Sequence, residues 1–230
     1  MTEFEREVEG RLNEAVGNSD LRSSSSAFME RSVAAKYSYN WFWMGRPIIQ
    51  YPQDICALQQ LVWRVRPDVI VETGIAHGGS LVLSASLLAM LDLCDATEAG
   101  VLLDPSRPQR RVVGVDVDIR SHNRTAIEAH PMANRITMLQ GSSVDPSVVA
   151  QVKAALGDAK TVLVCLDSNH THDHVLAELE AYGPMVSVGS YCVVLDTVIE
   201  NLPKDTYANR PWEVGDNPMT AMRAYLDSDP

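Results

Sequence analysis

Five times between residues 69 and 196 a short apolar run ends in a polar residue, and the first four runs give way to a stretch with helical spacing. The runs are Val69-Ile70-Val71, Val112-Val113-Gly114-Val115, residues 136–139, residues 161–166 and residues 191–195, with helices predicted near residues 80–93, 121–129, 146–156 and 173–182. Strands this apolar are buried on both faces, and strands that alternate with helices build a parallel sheet covered on both sides. The predicted fold is therefore α/β, with a doubly wound, mainly parallel sheet. Right-handed crossovers carry the carboxyl ends of all five strands to one edge, where ligands bind in open sheets of this kind.

A chain of 230 residues suits one such domain with a short N-terminal extension. Residues 1–40 read as two polar helical stretches, divided by Ser23-Ser24-Ser25-Ser26 as hinge and N-cap, and make a helical arm on a domain of residues 41–230. Tyr37, Tyr39, Trp41 and Trp43 follow, as a lid over a ring or as a seal of the arm onto the domain. Asp54 is placed to cap a helix carrying Ile55, Leu58, Leu61, Val62 and Val65.

A formal net charge of −11 without a basic patch excludes a nucleic-acid groove, which needs a dense Lys/Arg field. The four cysteines form no Cys-x-x-Cys pair and read as reduced thiols. The acidic N-terminus has no signal-peptide core, and no uninterrupted apolar run approaches the roughly 18 residues of a membrane span. The expected location is the cytoplasm.

The five strand ends carry Glu72, Asp116, Gly141 with Ser142 and Ser143, Asp167, and Asp196. The first turn holds Gly74, Gly78 and Gly79 ahead of Ser80, where glycines let backbone approach a ligand and a helix N-terminus offers free N–H groups. Its Gly-x-x-x-Gly-Gly spacing differs from the Gly-x-Gly-x-x-Gly dinucleotide fingerprint, and Glu72 suits an ammonium better than a phosphate. An acid closing the second strand, Asp116, suits the two hydroxyls of an adenosine ribose, a signal for a nucleoside that does not name which. Asp167 and Asp196 end adjacent strands, and two hard oxygen ligands with open positions describe a Mg²⁺ site shared with substrate oxygens. His170 is the candidate general base. His170, His172 and His174 together suggest a transition metal, but alternate positions on a helix point apart.

At these residues the chain resembles the cephalosporin hydroxylase/rhamnosyl O-methyltransferase family, a branch of the class I S-adenosylmethionine-dependent methyltransferases. The matching stretches run from Trp43 through Asp54, Val71 through Ser80, Gly114 through Asp118, Gly141 through Ser143, Asp167 through His172 and Val194 through Thr197, within about residues 40–200. The resemblance implies a Rossmann-like sheet and S-adenosylmethionine held by the turn of Glu72, Gly74, Gly78 and Ser80. It implies Asp116 on the ribose, Ser142 and Ser143 near the adenine, and Mg²⁺ on Asp167 and Asp196. The implied reaction methylates a hydroxyl of a sugar in a glycolipid, polysaccharide or glycosylated natural product, with His170 taking the proton. Where the family has a second acid, this chain has Leu195, which shifts a cation ligand to Asn169, Thr197 or Glu200. Family members usually finish with an antiparallel strand pair, so this sheet is expected to end differently. Competing readings are a non-haem iron hydroxylase, an NAD-dependent oxidoreductase and a non-catalytic binding protein; a homodimer through the arm and aromatic segment is expected.

Overall fold

A computed structural model describes residues 2–228. Helix α1 (Glu3–Gly17) opens with a capping box between Thr2 and Glu5 and buries none of its residues. Helix α2 (Ser19–Ala34) follows at once, capped by Asn18. The four serines lie inside α2 and are neither hinge nor cap, because Asn18 accepts the Leu21 N–H before them. The Trp41 segment forms a hairpin that the sequence pattern did not announce, β1 (Trp41–Trp43) against β2 (Arg46–Ile48). Its two-residue turn, Met44-Gly45, has both φ values positive, as a tight hairpin turn requires. The aromatics act as a seal: Tyr37 meets Phe28 of α2, Trp41 and Tyr51 at 5.4–5.9 Å between ring centroids, and the Trp43 indole donates to Ser86.

Helix α3 (Pro52–Val65) begins with proline at its first position and Tyr51 as its cap, so Asp54 lies in the first turn and does not cap it. The sheet elements are β3 (Val69–Thr73), α4 (Gly79–Ala99), β4 (Arg111–Asp116), α5 (Ser121–Glu128), β5 (Ile136–Gln140), α6 (Pro146–Leu156), β6 (Val162–Leu166), α7 (His172–Tyr182), β7 (Cys192–Val194) and α8 (Pro218–Asp227). The five strands pair in parallel in the order β5-β4-β3-β6-β7. The predicted doubly wound sheet is present, and among the described residues it ends at β7.

Alternation divides the core in two. Ile70, Val112, Leu163 and Cys165 face one way, onto Leu58 and Val62 of α3, Leu81 and Leu88 of α4, and Ile127 of α5. Val69, Val71, Val113, Val115, Val162 and Val164 face the other way, onto Val149 and Val152 of α6, Val175 and Leu179 of α7, and Ala221 of α8. Each buried Val, Leu or Ile contributes roughly 1.5–3 kcal/mol, so both faces must be covered at once and the strands read as unbroken apolar runs. Helix α4 continues past its predicted end to Ala99, where Gly100 closes it in the left-handed conformation. It is long and apolar enough to cross a membrane, yet 61% of its most apolar stretch is buried in the protein. Strands β3, β4 and β5 spread to one side and β6 returns to the other side of β3, so the direction of winding reverses between β3 and β6.

Candidate functional site

That reversal opens a crevice beyond Thr73 and Leu166, which lie side by side in register. Across it the Asp167 N–H donates to the Thr73 carbonyl at 3.0 Å. Gly74 sits at φ +90°, and a Cβ there would overlap the Asp167 carbonyl. Its glycine therefore lets the β3–α4 turn touch the end of β6. Ala76 holds φ +46°, strained for a residue with a side chain, and persists because its surroundings fix it. Asp116 Oδ2 accepts from the N–H groups of Ile75 (2.8 Å) and Ala76 (3.1 Å). Asn123, 3% exposed on α5, donates to the Ala76 carbonyl at 2.8 Å. Arg46 of β2 reaches the His77 carbonyl and Asn123 Oδ1, each at 3.0 Å. Arg46 and Asn123 escaped the sequence analysis; the only signal was an arginine inside an aromatic stretch.

The residues expected to hold a nucleoside lie around this turn with different orientations. Ser80 lines the crevice with Gly74, Ile75, Ala76, His77 and Asp167, faced by Ile49 and Gln50. Gly78 caps α4 without any side-chain hydrogen bond, which leaves the first N–H groups of that helix for a ligand. Asp116 borders the crevice and also braces it, its Oδ1 taking the Asp118 N–H at 3.0 Å. Glu72 is 4% exposed and accepts the Ser84 hydroxyl of α4. Burial pushes its carboxyl up, against the pull of Ser84 and Ser80. Ser142 is half-buried, and Ser143 is buried against α7, its hydroxyl 3.1 Å from His174 Nε2 and its carbonyl taking the Tyr182 hydroxyl at 2.8 Å. Gln50, unremarked in the sequence, is 8% exposed, and its Oε1 has no hydrogen-bond partner among the described residues. A buried acceptor of this kind in a crevice wall suits a donor from a ligand.

Beside the turn stands the acid cluster. One ligating atom each from Asp167, His170 and Asp196 lie within 4.8 Å of one another. His170 Nε2 is 3.4 Å from Asp196 Oδ2. Asp196 holds φ +55°, a left-handed conformation that Asp tolerates better than most residues. The His172 ring turns away to Thr220 while its backbone N–H donates to Asp216, and the His174 ring turns to Ser143 and Ser168, so two histidines and a carboxylate do not assemble as a hydroxylase would need. Two of the three proposed substitutes for the lost acid are engaged elsewhere: Glu200 takes the Gly215 N–H and the Asn217 amide, and Asn169 the Thr171 N–H. Leu195 packs on the core, and His170 stands beside the two acids.

Burial, and then the charge of Asp196, push the Asp167 carboxyl well above its ordinary 3.8. Asp54 of α3 is also raised, by desolvation and then by Asp196. Among the described residues, His170 is the one basic side chain paired with Asp196. Oxygen ligands that crowd like charge with an imidazole alongside fit a divalent cation.

The raised carboxyl also sets a pH dependence. Below 3.8 Asp167 is protonated in folded and unfolded chains alike. Above it the unfolded chain releases the proton while the folded chain keeps it, so stability falls as pH rises and levels off beyond the folded value. Without divalent cation, Asp167→Asn is expected to be more stable than wild type by a margin that widens from about pH 4 upward. Thermal unfolding of both proteins across pH measures it, and a margin independent of pH would contradict the crowding of the two acids.

Residues 35–230 match the family model described as Rhamnosyl O-methyltransferase/CmcI. The rhamnosyl O-methyltransferase of Mycobacterium tuberculosis is 24% identical over 213 residues, covering 86% of this chain and 75% of that protein. The Mycobacterium leprae protein of the same name is 24% identical over 185 residues, with 75% and 71% covered. Among solved structures, the TDP-rhamnose 3'-O-methyltransferase of calicheamicin biosynthesis superposes with a TM-score of 0.51 at 20% identity, over 100% of this chain and 88% of that one. CmcI with Mg and SAM gives 0.51 at 19% identity, over 83% and 66%. MycE of the mycinamycin pathway, with Mg and SAH, gives 0.50 at 16% identity over 86% of this chain, which spans only 44% of MycE. At these identities the structures share the fold.

Proposed function

This chain belongs to the Rhamnosyl O-methyltransferase/CmcI family, and from that footing we propose that it moves a methyl group from S-adenosylmethionine to a sugar hydroxyl with the help of a divalent cation. The carrying observation is the meeting of the β3–α4 turn and the Asp167–His170–Asp196 cluster across one crevice, joined where Gly74 touches the Asp167 backbone. A donor cradle and an acid cluster so close can serve one transfer. Family membership and the names of the mycobacterial relatives support a sugar acceptor; the Mg and SAM bound to CmcI support the two ligands.

The donor supplies an electrophilic methyl on sulfonium, and the cation supplies Lewis acidity that lowers the pKa of an acceptor hydroxyl. The chain does the positioning. The turn and the open start of α4 would hold the donor, with Ser80 at its wall and Gln50 Oε1 as an acceptor opposite. Asp116 fixes the turn through Ile75 and Ala76 and keeps lone pairs for a ribose hydroxyl. Asp167 and Asp196 would hold the cation. His170, whose Nε2 stands 3.4 Å from Asp196 Oδ2, would take the hydroxyl proton on its ring. With the donor bound, the acceptor oxygen would gain the methyl as the sulfonium sulfur keeps the electron pair of the broken bond, and the hydroxyl proton would leave on His170.

Calorimetric titration with S-adenosylmethionine, S-adenosylhomocysteine and NAD tests the donor. Methyl transfer to a rhamnoside with Mg²⁺ or with EDTA tests the cation. The expected result is binding of both adenosyl compounds, none of NAD, and transfer abolished by EDTA. Binding of NAD alone would overturn the proposal, and transfer indifferent to EDTA would remove the cation from it.

A further inference from the structure

Between the turn Thr197–Asn201 and α8 the chain forms consecutive turns without helix or sheet strand. They enclose a second cavity of about 260 Å³, open to solvent and walled in part by Leu202, Pro203, Tyr207, Arg210 and Trp212. That space is a little smaller than the roughly 300–1,000 Å³ of drug-sized sites, and so suits a ligand of a single ring.

Trp212 joins this cavity to the acid cluster. Its ring meets the His170 ring edge to face, 4.6 Å between centroids at 79°. Its Nε1–H is buried and finds no acceptor among the described residues. Buried indole N–H groups are normally paired, so this donor is matched to a group the chain itself does not provide. Tyr207 stands 6.5 Å from Trp212. Burial, then the nearby charge of Asp196, pushes its hydroxyl up to about 12, so it stays a donor at neutral pH. Arg210 lies over the Trp212 ring at 5.3 Å and fixes it. In residues 203–214, Lys204 and Arg210 balance Asp205 and Glu213. No surplus positive charge is present to attract a phosphate, and the acids next door repel one.

We infer that this cavity is the subsite for the acceptor: a neutral pyranose ring sits beside Trp212 and Tyr207, one of its oxygens accepts from Trp212 Nε1, and a neighbouring hydroxyl is presented to His170. Aromatic surface takes the C–H faces of a sugar while a few placed donors read its oxygens. Trp212 is then a specificity residue of the same reaction. The inference rests on the methyl-transfer proposal for the adjacent crevice.

The test uses ¹⁵N-labelled full-length protein loaded with S-adenosylhomocysteine and Mg²⁺ and titrated with methyl α-L-rhamnopyranoside. The chain has four tryptophans, and Trp212→Phe identifies its own indole resonance by its loss. Saturable movement of that resonance is expected, with those of Trp41, Trp43 and Trp63 unmoved. Trp212→Phe is expected to weaken the sugar by about tenfold, and S-adenosylhomocysteine by less than about twofold. Tyr207→Phe provides a second variant with the same expected direction. If S-adenosylhomocysteine binds but the sugar leaves the Trp212 resonance still, or binds Trp212→Phe equally well, the subsite is overturned while the methyltransferase proposal stands. If S-adenosylhomocysteine fails to bind, both fall.

Discussion

Asp167→Ala is expected to slow methyl transfer by about 10³-fold or more while leaving S-adenosylmethionine affinity within about threefold of wild type. Asp167 is the most deeply placed acid of the cluster, and its carboxyl is pushed up because it is buried beside Asp196. A charge held there at that cost needs a compensating cation, and several kcal/mol of charge stabilisation is what a bound metal contributes to such a transfer. The donor contacts depend on the turn, whose bracing comes from Asp116, Asn123 and Arg46 and not from the Asp167 side chain. Single-turnover transfer and calorimetry on the same preparation separate the two effects. Retained turnover would mean that the acids are not the cation site, and lost donor binding would mean that Asp167 belongs to the cradle.

The largest expected loss of stability lies far from the crevice. Asp92, in the interior of α4, has no exposed side-chain surface and holds Arg110 at 2.6 Å and Arg135 at 2.5 Å. Its second oxygen also takes the Gln109 N–H at 3.1 Å. The two guanidiniums are themselves only 11% and 5% exposed. Asp92→Ala strands Arg135 in a low-dielectric setting and leaves Arg110 only the more exposed Asp95, at 2.7 Å, and breaking a buried ion cluster from one side costs about 3–5 kcal/mol. For a domain of this size that is a fall in Tm of roughly 10 °C. Urea unfolding with an unchanged slope and a lowered midpoint is the expected signature. A loss below about 1 kcal/mol would show that the arginines find water when released.

The sheet was legible because its strands are buried on both sides, so Val69-Ile70-Val71 and its counterparts could hardly be anything else. The hairpin of Trp41–Trp43 and Arg46–Ile48 was not, since strands of three residues leave too little alternation to see. The serine run misled because serine often starts a helix, and only Asn18 ahead of it reveals the true start. At the site, sequence located the acids at strand ends, and Asp167, His170 and Asp196 do converge. It did not reveal direction. Glu72 sits one residue inside the end of β3 and so keeps the face of Ile70, toward α4, while Ser143 turns to α7. Which way a side chain leaves a strand end is set by one or two loop dihedrals that no periodicity records. Arg46, Asn123 and Trp212 come from distant segments and become visible only once the chain is folded, and Asp92 was concealed by the apolar helix around it.

Gly74 has a mechanical consequence. Because that residue has no side chain, the loop that would carry the sulfonium and the loop that would carry the metal rest on each other with no slack between them. Neither can drift alone, so the spacing between methyl and nucleophile is inherited from backbone packing and does not have to be rebuilt in each catalytic cycle. Enlarging that residue by a single carbon would pry the two loops apart and lengthen the very gap the reaction has to cross.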